Sequence, residues 1–175
     1  MPRNDRSYSF DANLGLSDGA ASYSATGYAQ YAGADGIVDF GGNQNVSVAL
    51  PAIADTSTLY PQRARIDATI EIDVTAGTFT GTTLFKIYAV ASNDPTFGSG
   101  NVVTVGMLAF GNAGGAEYLN ALTTATPDSV GGSMYEMPIC MQQNGTPYQY
   151  LKLYNVVANS AALTYKAFVA VAPEP

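Results

Sequence analysis

Residues 64–74 of this 175-residue chain read ARIDATIEIDV. Apolar residues occupy every second position, and the polar positions between them are Arg65, Asp67, Thr69, Glu71 and Asp73. Successive side chains of a β-strand point to opposite faces of the sheet, so this alternation predicts a strand with one buried face and one wet face. The stretch marks the chain as a sheet protein.

Looser alternation of the same period continues in residues 84–91, 102–110, 134–140, 150–157 and 163–171. Shorter candidate strands are residues 23–31, 37–40, 46–50 and 117–123. Gly, Asn, Asp and Pro cluster between these segments at turn-like spacing, and no segment carries a helical stripe. The pattern predicts an all-β fold of about eight to ten antiparallel strands, a sandwich, jelly roll or barrel, of which we prefer the jelly roll.

The length of the chain fits one domain with its own core. We expect residues 1–20 to form an extended N-terminal arm and residues 21–175 to form a single β-sandwich domain. Tyr8 and Phe10 are aromatic residues in this otherwise polar arm, so they are candidate anchors in a pocket of a neighbouring subunit. No stretch resembles a signal peptide or reaches membrane-spanning length, which predicts a protein made and used without a secretion signal.

Charge and composition restrict the partners of the protein. Its net charge is −7, and its seven basic residues are scattered, so neither nucleic acid nor an anionic membrane is an expected partner. Only 12% of residues are charged, while the chain has 12 tyrosines. Interface cores lose charge and gain aromatic residues, so the composition favours an oligomer or a component of an assembly.

Catalytic chemistry finds little support in the sequence. Histidine is absent, which excludes serine–histidine and cysteine–histidine catalysis. Cys140, the single cysteine, ends an apolar run and is predicted to be a buried thiol. Glu71 and Asp73 share a strand face about 7 Å apart, a spacing compatible with glycosidase chemistry, but we interpret them as the solvated face of the strand. The sequence predicts no enzyme activity, no catalytic residues and no cofactor. It assigns no metal site, and a divalent cation held by an Asp-bearing loop stays open.

Two strands carry outward faces that are too apolar for open solvent. In the strand predicted at residues 84–91, Phe85, Ile87 and Ala89 point inward. The opposite face then presents Leu84, Lys86, Tyr88 and Val90. The strand predicted at residues 150–157 presents Tyr150, Lys152 and Tyr154 on its outward face. These side chains are candidate contacts with other subunits. Burial of both faces inside the protein itself remains an equal alternative.

A series of short motifs runs along most of the chain: DANLGLSD at 11–18, IVDFG at 37–41, the strand at 65–74, FKIYAV at 85–90, SNDPTF at 92–97, YLKLY at 150–154 and the strand at 163–171. In this order the motifs resemble the jelly-roll capsid cement proteins of tailed phages, the group typified by the Bordetella phage cement protein. The resemblance implies a virion protein, made in the host cytoplasm, that coats the outer surface of an icosahedral capsid.

The same resemblance implies two partners: the major capsid protein, whose subunits the protein would bridge, and further copies of itself in a homo-dimer or homo-trimer. It brings no catalytic or cofactor residues. Two other functions stay open. A carbohydrate-binding β-sandwich or virion fibre module would use the tyrosines, although Trp, common in sugar platforms, is absent. A hydrolase using Glu71 and Asp73 ranks last.

Overall fold

The computed structural model of the chain describes residues 12–40, 67–79, 83–98, 100–111, 120–121 and 133–170. Within these ranges the protein is built from β-strands, with a single turn of 3-10 helix at Ala12–Leu14 and no α-helix. The strands are β1 (Gly15–Asp18), β2 (Gly27–Tyr28), β3 (Gln30–Tyr31), β4 (Ala34–Asp35), β5 (Ile37–Asp39), β6 (Asp67–Thr78), β7 (Leu84–Ser92), β8 (Val102–Gly111), β9 (Asn120–Ala121), β10 (Ser133–Cys140), β11 (Gln142–Gln143), β12 (Thr146–Pro147), β13 (Tyr150–Ala158) and β14 (Ala162–Ala170). The prediction of an all-β fold is confirmed.

Two sheets make up most of the described structure. The four-stranded sheet has the order β1-β14-β6-β10, and the six-stranded sheet has the order β2-β13-β7-β8-β9, with β5 also paired to β13. Two short hairpins, β3–β4 and β11–β12, lie outside them. All pairs are antiparallel except β8–β9.

The strands pair in a nested order. β1 pairs with β14, β2 and β5 with β13, β6 with β10, and β7 with β8. These successive pairs fall alternately in the four-stranded and the six-stranded sheet. Among the described strands, those from β8 onwards therefore fold back along the strands before them.

The inner faces of the two sheets meet in one hydrophobic core. Side chains from both sheets contribute, and the largest that are fully buried include Tyr165, Phe85, Phe110, Ile70, Ile72, Ile87, Leu151 and Leu153. Direct contacts cross the interior. The hydroxyl of Tyr165 on β14 donates to Oδ1 of Asn155 on β13 over 2.8 Å, and the rings of Phe110 and Tyr135 meet edge to face with centroids 4.9 Å apart.

Strand β6 contains the stretch that decided the fold class. Within the stretch 64–74, the described apolar residues are Ala68, Ile70, Ile72 and Val74, and all four are buried, as the alternation predicted. The expectation that Glu71 lies on a solvated face is wrong, because Glu71 is only 1% exposed. β6 is a central strand, and Phe168 of β14 and Glu136 of β10 lie directly opposite Glu71 on its two sides. Asp73, two residues on, is partly exposed.

The predicted N-terminal arm is corrected by the position of β1. This strand is hydrogen-bonded to β14, and Leu16 is fully buried in the core. Oγ of Ser17 donates to the carbonyl of Tyr165 over 2.7 Å. Residues 15–18 thus belong to the sandwich, because an apolar residue at position 16 fills the core while the backbone completes a sheet edge. Residues 1–11, with Tyr8 and Phe10, and the predicted strand at 46–50 lie outside the described residues.

Candidate protein-binding surface

The outward face of the six-stranded sheet carries the residues predicted from β7. Phe85, Ile87 and Ala89 are fully buried in the core. Alternation along the strand therefore turns Leu84, Lys86, Tyr88 and Val90 to the opposite face. The inward and outward assignments made from the sequence are confirmed for this strand.

The second predicted strand, β13, is the direct neighbour of β7. In the register of this pair, Tyr154 lies opposite Tyr88, and Lys152 lies opposite Val90. The next strand, β8, adds Met107 to the same line of outward side chains, because Met107 lies opposite Tyr88. Both sets of candidate residues therefore share one face, although they are at least 60 positions apart in the chain.

A row of aromatic and thioether side chains crosses this face. Tyr28 on β2 pairs with Tyr154, which pairs with Tyr88, which pairs with Met107. The rings of Tyr28 and Tyr154 meet edge to face at 5.1 Å. Burial raises the pKa of the Tyr28 phenol, and the nearby Tyr154 and Asp35 add to the effect. The sequence reasoning missed Tyr28 and Met107 as members of this surface. The signal in the sequence that could have indicated Tyr28 is the run of tyrosines around it, Tyr23, Tyr28 and Tyr31.

Lys152 points outward as predicted, but it is covered by its own chain and only 6% exposed. Its Nζ lies 4.8 Å from the ring centroids of both Tyr28 and Phe97. The same Nζ forms an ion pair of 3.0 Å with Oδ2 of Asp35. Val90 beside it is also buried. Lys152 and Val90 are therefore corrected from candidate contacts to buried groups. The rings of Tyr28 on β2 and Phe97 in the loop after β7 lie over the Lys152 ammonium.

The loop that carries Phe97 is held in shape by Asp94. One carboxylate oxygen accepts hydrogen bonds from both the backbone N–H and the hydroxyl of Thr96, and the other accepts from the N–H of Gly98. These bonds lower the pKa of the Asp94 carboxyl. They also hold Phe97 in the left-handed region, at a φ of 52°. We call Tyr28 and Phe97 together the aromatic cap.

Beyond the aromatic cap, the outward face stays accessible. We define the open face as Leu84, Lys86, Tyr88, Met107, Tyr154 and Val156. Met107 is 49% exposed, and the other five are partly exposed. Tyr150 is also partly exposed, on the other side of the cap. Of the seven candidates on these two strands, five keep part of their surface in contact with solvent.

The charge of this face differs from that of the opposite sheet. The strands β7, β8 and β13 contain no Asp or Glu. The four-stranded sheet carries Asp18, Asp67, Glu71, Asp73 and Glu136. None of the six residues of the open face is acidic, in a protein whose net charge is −7; the same sheet carries Asp39 on β5, opposite Tyr150.

Two other places on the surface, a groove and a pocket, are lined by a thiol or by polar groups. Cys140 is partly exposed rather than buried, because the inward positions of β10 fall on Met137 and Ile139. Its thiol lines an open groove of about 480 Å³ and donates a weak hydrogen bond to the carbonyl of Gln142. A second, more polar pocket of about 380 Å³ is lined by Asn93, Asp94, Gly100, Asn101, Val103 and Tyr148.

Within the described ranges, no three His, Cys, Asp or Glu residues are grouped so that they could hold a metal ion. The same ranges contain no helix long and apolar enough to cross a membrane. No protein-family model, no curated protein and no solved structure matches the chain. The fold and the surface therefore define the class of the protein alone: an all-β sandwich with an aromatic outward face on its six-stranded sheet.

Proposed function

We propose that the protein is a capsid cement protein, which binds the outer surface of an icosahedral phage capsid and bridges subunits of the major capsid protein. The observation that carries the proposal is the open face, where Tyr88, Tyr154 and Met107 form a continuous row on β7, β8 and β13, three strands without Asp or Glu. Aromatic and Met side chains are enriched in the cores of protein interfaces, and charged groups are depleted there.

The strand order supports the jelly-roll form of the sandwich. A jelly roll has eight strands in two sheets, and rolling up one long hairpin gives nested pairs that alternate between them. β1–β14, β2/β5–β13, β6–β10 and β7–β8 follow this order. This order fits the jelly roll that the resemblance to phage cement proteins implies.

The proposed mechanism needs binding energy and no chemistry. Each copy contributes a modest contact area, and copies joined as a homo-dimer or homo-trimer multiply that contact across the shell by avidity. A bridge between two capsid subunits resists their separation under internal pressure from DNA. In this proposal the protein is not an enzyme, and its place is the outer capsid surface of the virion.

A heating experiment tests the proposal. Particles with and without the protein are heated in steps, and released DNA is measured by dye fluorescence. We expect particles lacking the protein to release DNA at a lower temperature, and the purified protein to restore the original temperature. Equal release temperatures for both kinds of particle would reject the cement function.

A second candidate is a carbohydrate-binding or fibre module, and the polar pocket favours it. Asn93, Asp94, Asn101 and Tyr148 line this pocket with amide, carboxylate and aromatic groups. However, the side chain of Asn93 already bonds Pro147 and Gln149, and both Asp94 oxygens accept bonds from their own loop. A glycan array with saturable hits that Asn101→Ala abolishes would favour this function over cement.

A further inference from the structure

We infer that residues 7–10 of a second copy of this chain dock in the groove between β8 and β10 that Cys140 lines, with Tyr8 and Phe10 as the two anchors. The inference deepens the proposed function and rests on it in one respect, because it takes copies of the protein to join in an oligomer. It names the contact that joins them. Capsid binding plays no part in this contact.

The groove lies at an edge of the sandwich where the core is incompletely covered. Val103, Val105 and Leu108 of β8 pack against the core and yet stay partly exposed. On the other side of the groove, β10 is the last strand in the order of the four-stranded sheet. Within the described ranges β10 pairs only with β6, and its Pro138 is exposed. A docked segment can therefore bury further apolar surface at this edge.

The chemistry of the groove suits aromatic side chains without charge. The groove has a volume of about 480 Å³, which lies within the range of ligand pockets. The described residues that line it include Val105, Pro138 and Ile139, and none of the described lining residues is charged. An uncharged segment with aromatic side chains fits such a lining.

Residues 7–10 read SYSF and have this chemistry. In an extended chain, side chains two positions apart point the same way and lie about 7 Å apart. Tyr8 and Phe10 can therefore enter one groove together, while Ser7 and Ser9 face away from it. Aromatic side chains that fill a pocket supply much of the binding energy of an interface.

The place where the described chain begins decides between the same chain and a second copy. The 3-10 turn that starts at Ala12 contacts β5 and β14, and it leads into β1, at the opposite edge of the four-stranded sheet from β10. Three strand spacings, about 14 Å, separate β1 from β10. Phe10 precedes Ala12 by two residues, which span at most about 7 Å. This length is too short for the groove of the same chain, so the receiving groove belongs to a neighbouring copy.

The contact is head-to-tail, because the chain enters the sandwich at one edge and the groove lies at the other. Head-to-tail contacts close into a ring when the rotation between copies permits it, and a homo-trimer is such a ring. Neither residues 7–10 nor the described lining residues bring a charge into the contact. The centre of the interface therefore adds no like-charge repulsion between copies whose net charge is −7.

Cys140 reports whether the groove is filled, because it is the only cysteine of the chain and lines the groove partly exposed. The purified full chain is treated with N-ethylmaleimide at a series of protein concentrations, and intact mass spectrometry gives the rate of alkylation. Sedimentation velocity gives the oligomeric mass at the same concentrations. The test variant carries Tyr8→Ser and Phe10→Ser. Its matched control carries Ser7→Ala and Ser9→Ala, on the other side of the same segment.

We expect alkylation of wild type to slow about tenfold when the protein concentration exceeds the dissociation constant about tenfold, as the mass rises above that of the monomer. The control should behave like wild type. The test variant should stay monomeric and react fast over the same concentrations, because loss of an aromatic anchor weakens binding about tenfold or more. A peptide with the sequence of residues 1–11 should slow the alkylation of the test variant.

Three results would overturn the inference. Slow alkylation of wild type at every concentration, relieved in the test variant, would show that residues 7–10 fill the groove of their own chain. Equal rates for wild type and the test variant would show that these residues do not occupy the groove. An oligomer whose Cys140 reacts as fast as that of the monomer would show that copies join elsewhere.

The two proposals fail separately. The cement function survives each of these three results, because the heating experiment tests it on particles. Equal DNA release temperatures in that experiment would reject the cement function and leave the contact between copies, measured on purified protein, in place.

Discussion

The hydroxyl of Tyr165 donates a 2.8 Å hydrogen bond to Oδ1 of Asn155, and this bond joins the two sheets through the interior of the sandwich. Both side chains are fully buried. Nδ2 of Asn155 has no hydrogen-bond partner in the described structure. The Tyr165 hydroxyl is therefore the described partner of the Asn155 side chain, through its Oδ1, and the bond links β13 to β14 across the core.

Tyr165→Phe removes that hydroxyl and leaves the Asn155 amide buried without it. We expect the free energy of unfolding to fall by about 1–3 kcal/mol, the cost of a buried polar group that loses its partner. Urea denaturation measures the change. The double variant Tyr165→Phe, Asn155→Leu should recover part of the loss, because it removes the polar group as well. An unchanged stability in Tyr165→Phe would contradict this account.

Alkaline pH should weaken the fold through the same tyrosine. Burial raises the pKa of the Tyr165 phenol well above its ordinary value, with a further contribution from Tyr23. From about pH 10 the unfolded chain loses a proton that the native protein retains, so stability is full below that pH and falls above it. The slope from one such group is at most about 1.4 kcal/mol per pH unit.

The measurement is urea denaturation at a series of pH values from neutral to strongly alkaline. Tyr165→Phe should show a shallower decline than wild type above about pH 10, because it lacks this titrating group. Tyr150→Phe, a partly exposed tyrosine on the outward face, serves as the control and should follow wild type. Identical slopes for wild type and Tyr165→Phe would show that this phenol does not govern the alkaline loss.

The ion pair between the buried Lys152 and the half-exposed Asp35 predicts which of two variants is the less stable. Asp35→Asn leaves the Lys152 ammonium between two rings without its carboxylate, which should cost about 1.5–3 kcal/mol, as for bonds to charged groups. Lys152→Met replaces the ammonium by an apolar chain of similar length and leaves Asp35, which is 47% exposed, in water. That change should cost less than about 1 kcal/mol, because apolar replacement of a buried charge is often neutral.

Thermal and urea unfolding of both variants give this comparison. The expected result is a lower stability for Asp35→Asn than for Lys152→Met. The reverse order would show that the two cation–π contacts outweigh the ion pair. Lys166→Met, which removes an exposed lysine, controls for the change in net charge.

A close approach between β1 and the turn before β5 predicts a strong effect at one glycine. A Cβ added to Gly36 would lie 2.1 Å from the carbonyl oxygen of Leu16, whereas one added to Gly27 meets no atom within 4 Å. Gly36→Ala should therefore destabilise the protein by about 1–3 kcal/mol or more, because backbone has to move. Gly27→Ala should stay within about 0.5 kcal/mol of wild type. Equal stabilities of the two variants would argue against this contact.

Much of the fold was predictable from local pattern. The strands observed at Leu84–Ser92, Val102–Gly111, Tyr150–Ala158 and Ala162–Ala170 match the predicted segments to within one residue at each end. Their alternation depends only on adjacent residues, because apolar side chains face the core and polar side chains face the solvent. The predicted strand at 23–31 was less accurate, because this segment forms two separate two-residue strands, Gly27–Tyr28 and Gln30–Tyr31.

The surface was predictable only in part. The sequence placed Tyr88 and Tyr154 outward, and the structure agrees. It could not foresee that Tyr28 and Phe97 would cover Lys152, because these residues come from three distant segments of the chain. The burial of Glu71 escaped prediction for a similar reason, since it depends on strands that lie on both sides of β6.

By itself, the sequence determined that this protein is an all-β chain, which residues of β6, β7 and β13 face inward, and that β7, β8 and β13 carry no acid. These properties depend on residue type and on neighbours one or two positions away. Tertiary structure alone decided that β1 belongs to the core, that Tyr28 lies beside Tyr154, and that the aromatic cap divides the outward face. Those relationships join residues far apart in the chain, and their free energy comes from contacts that exist only after the two halves have folded together.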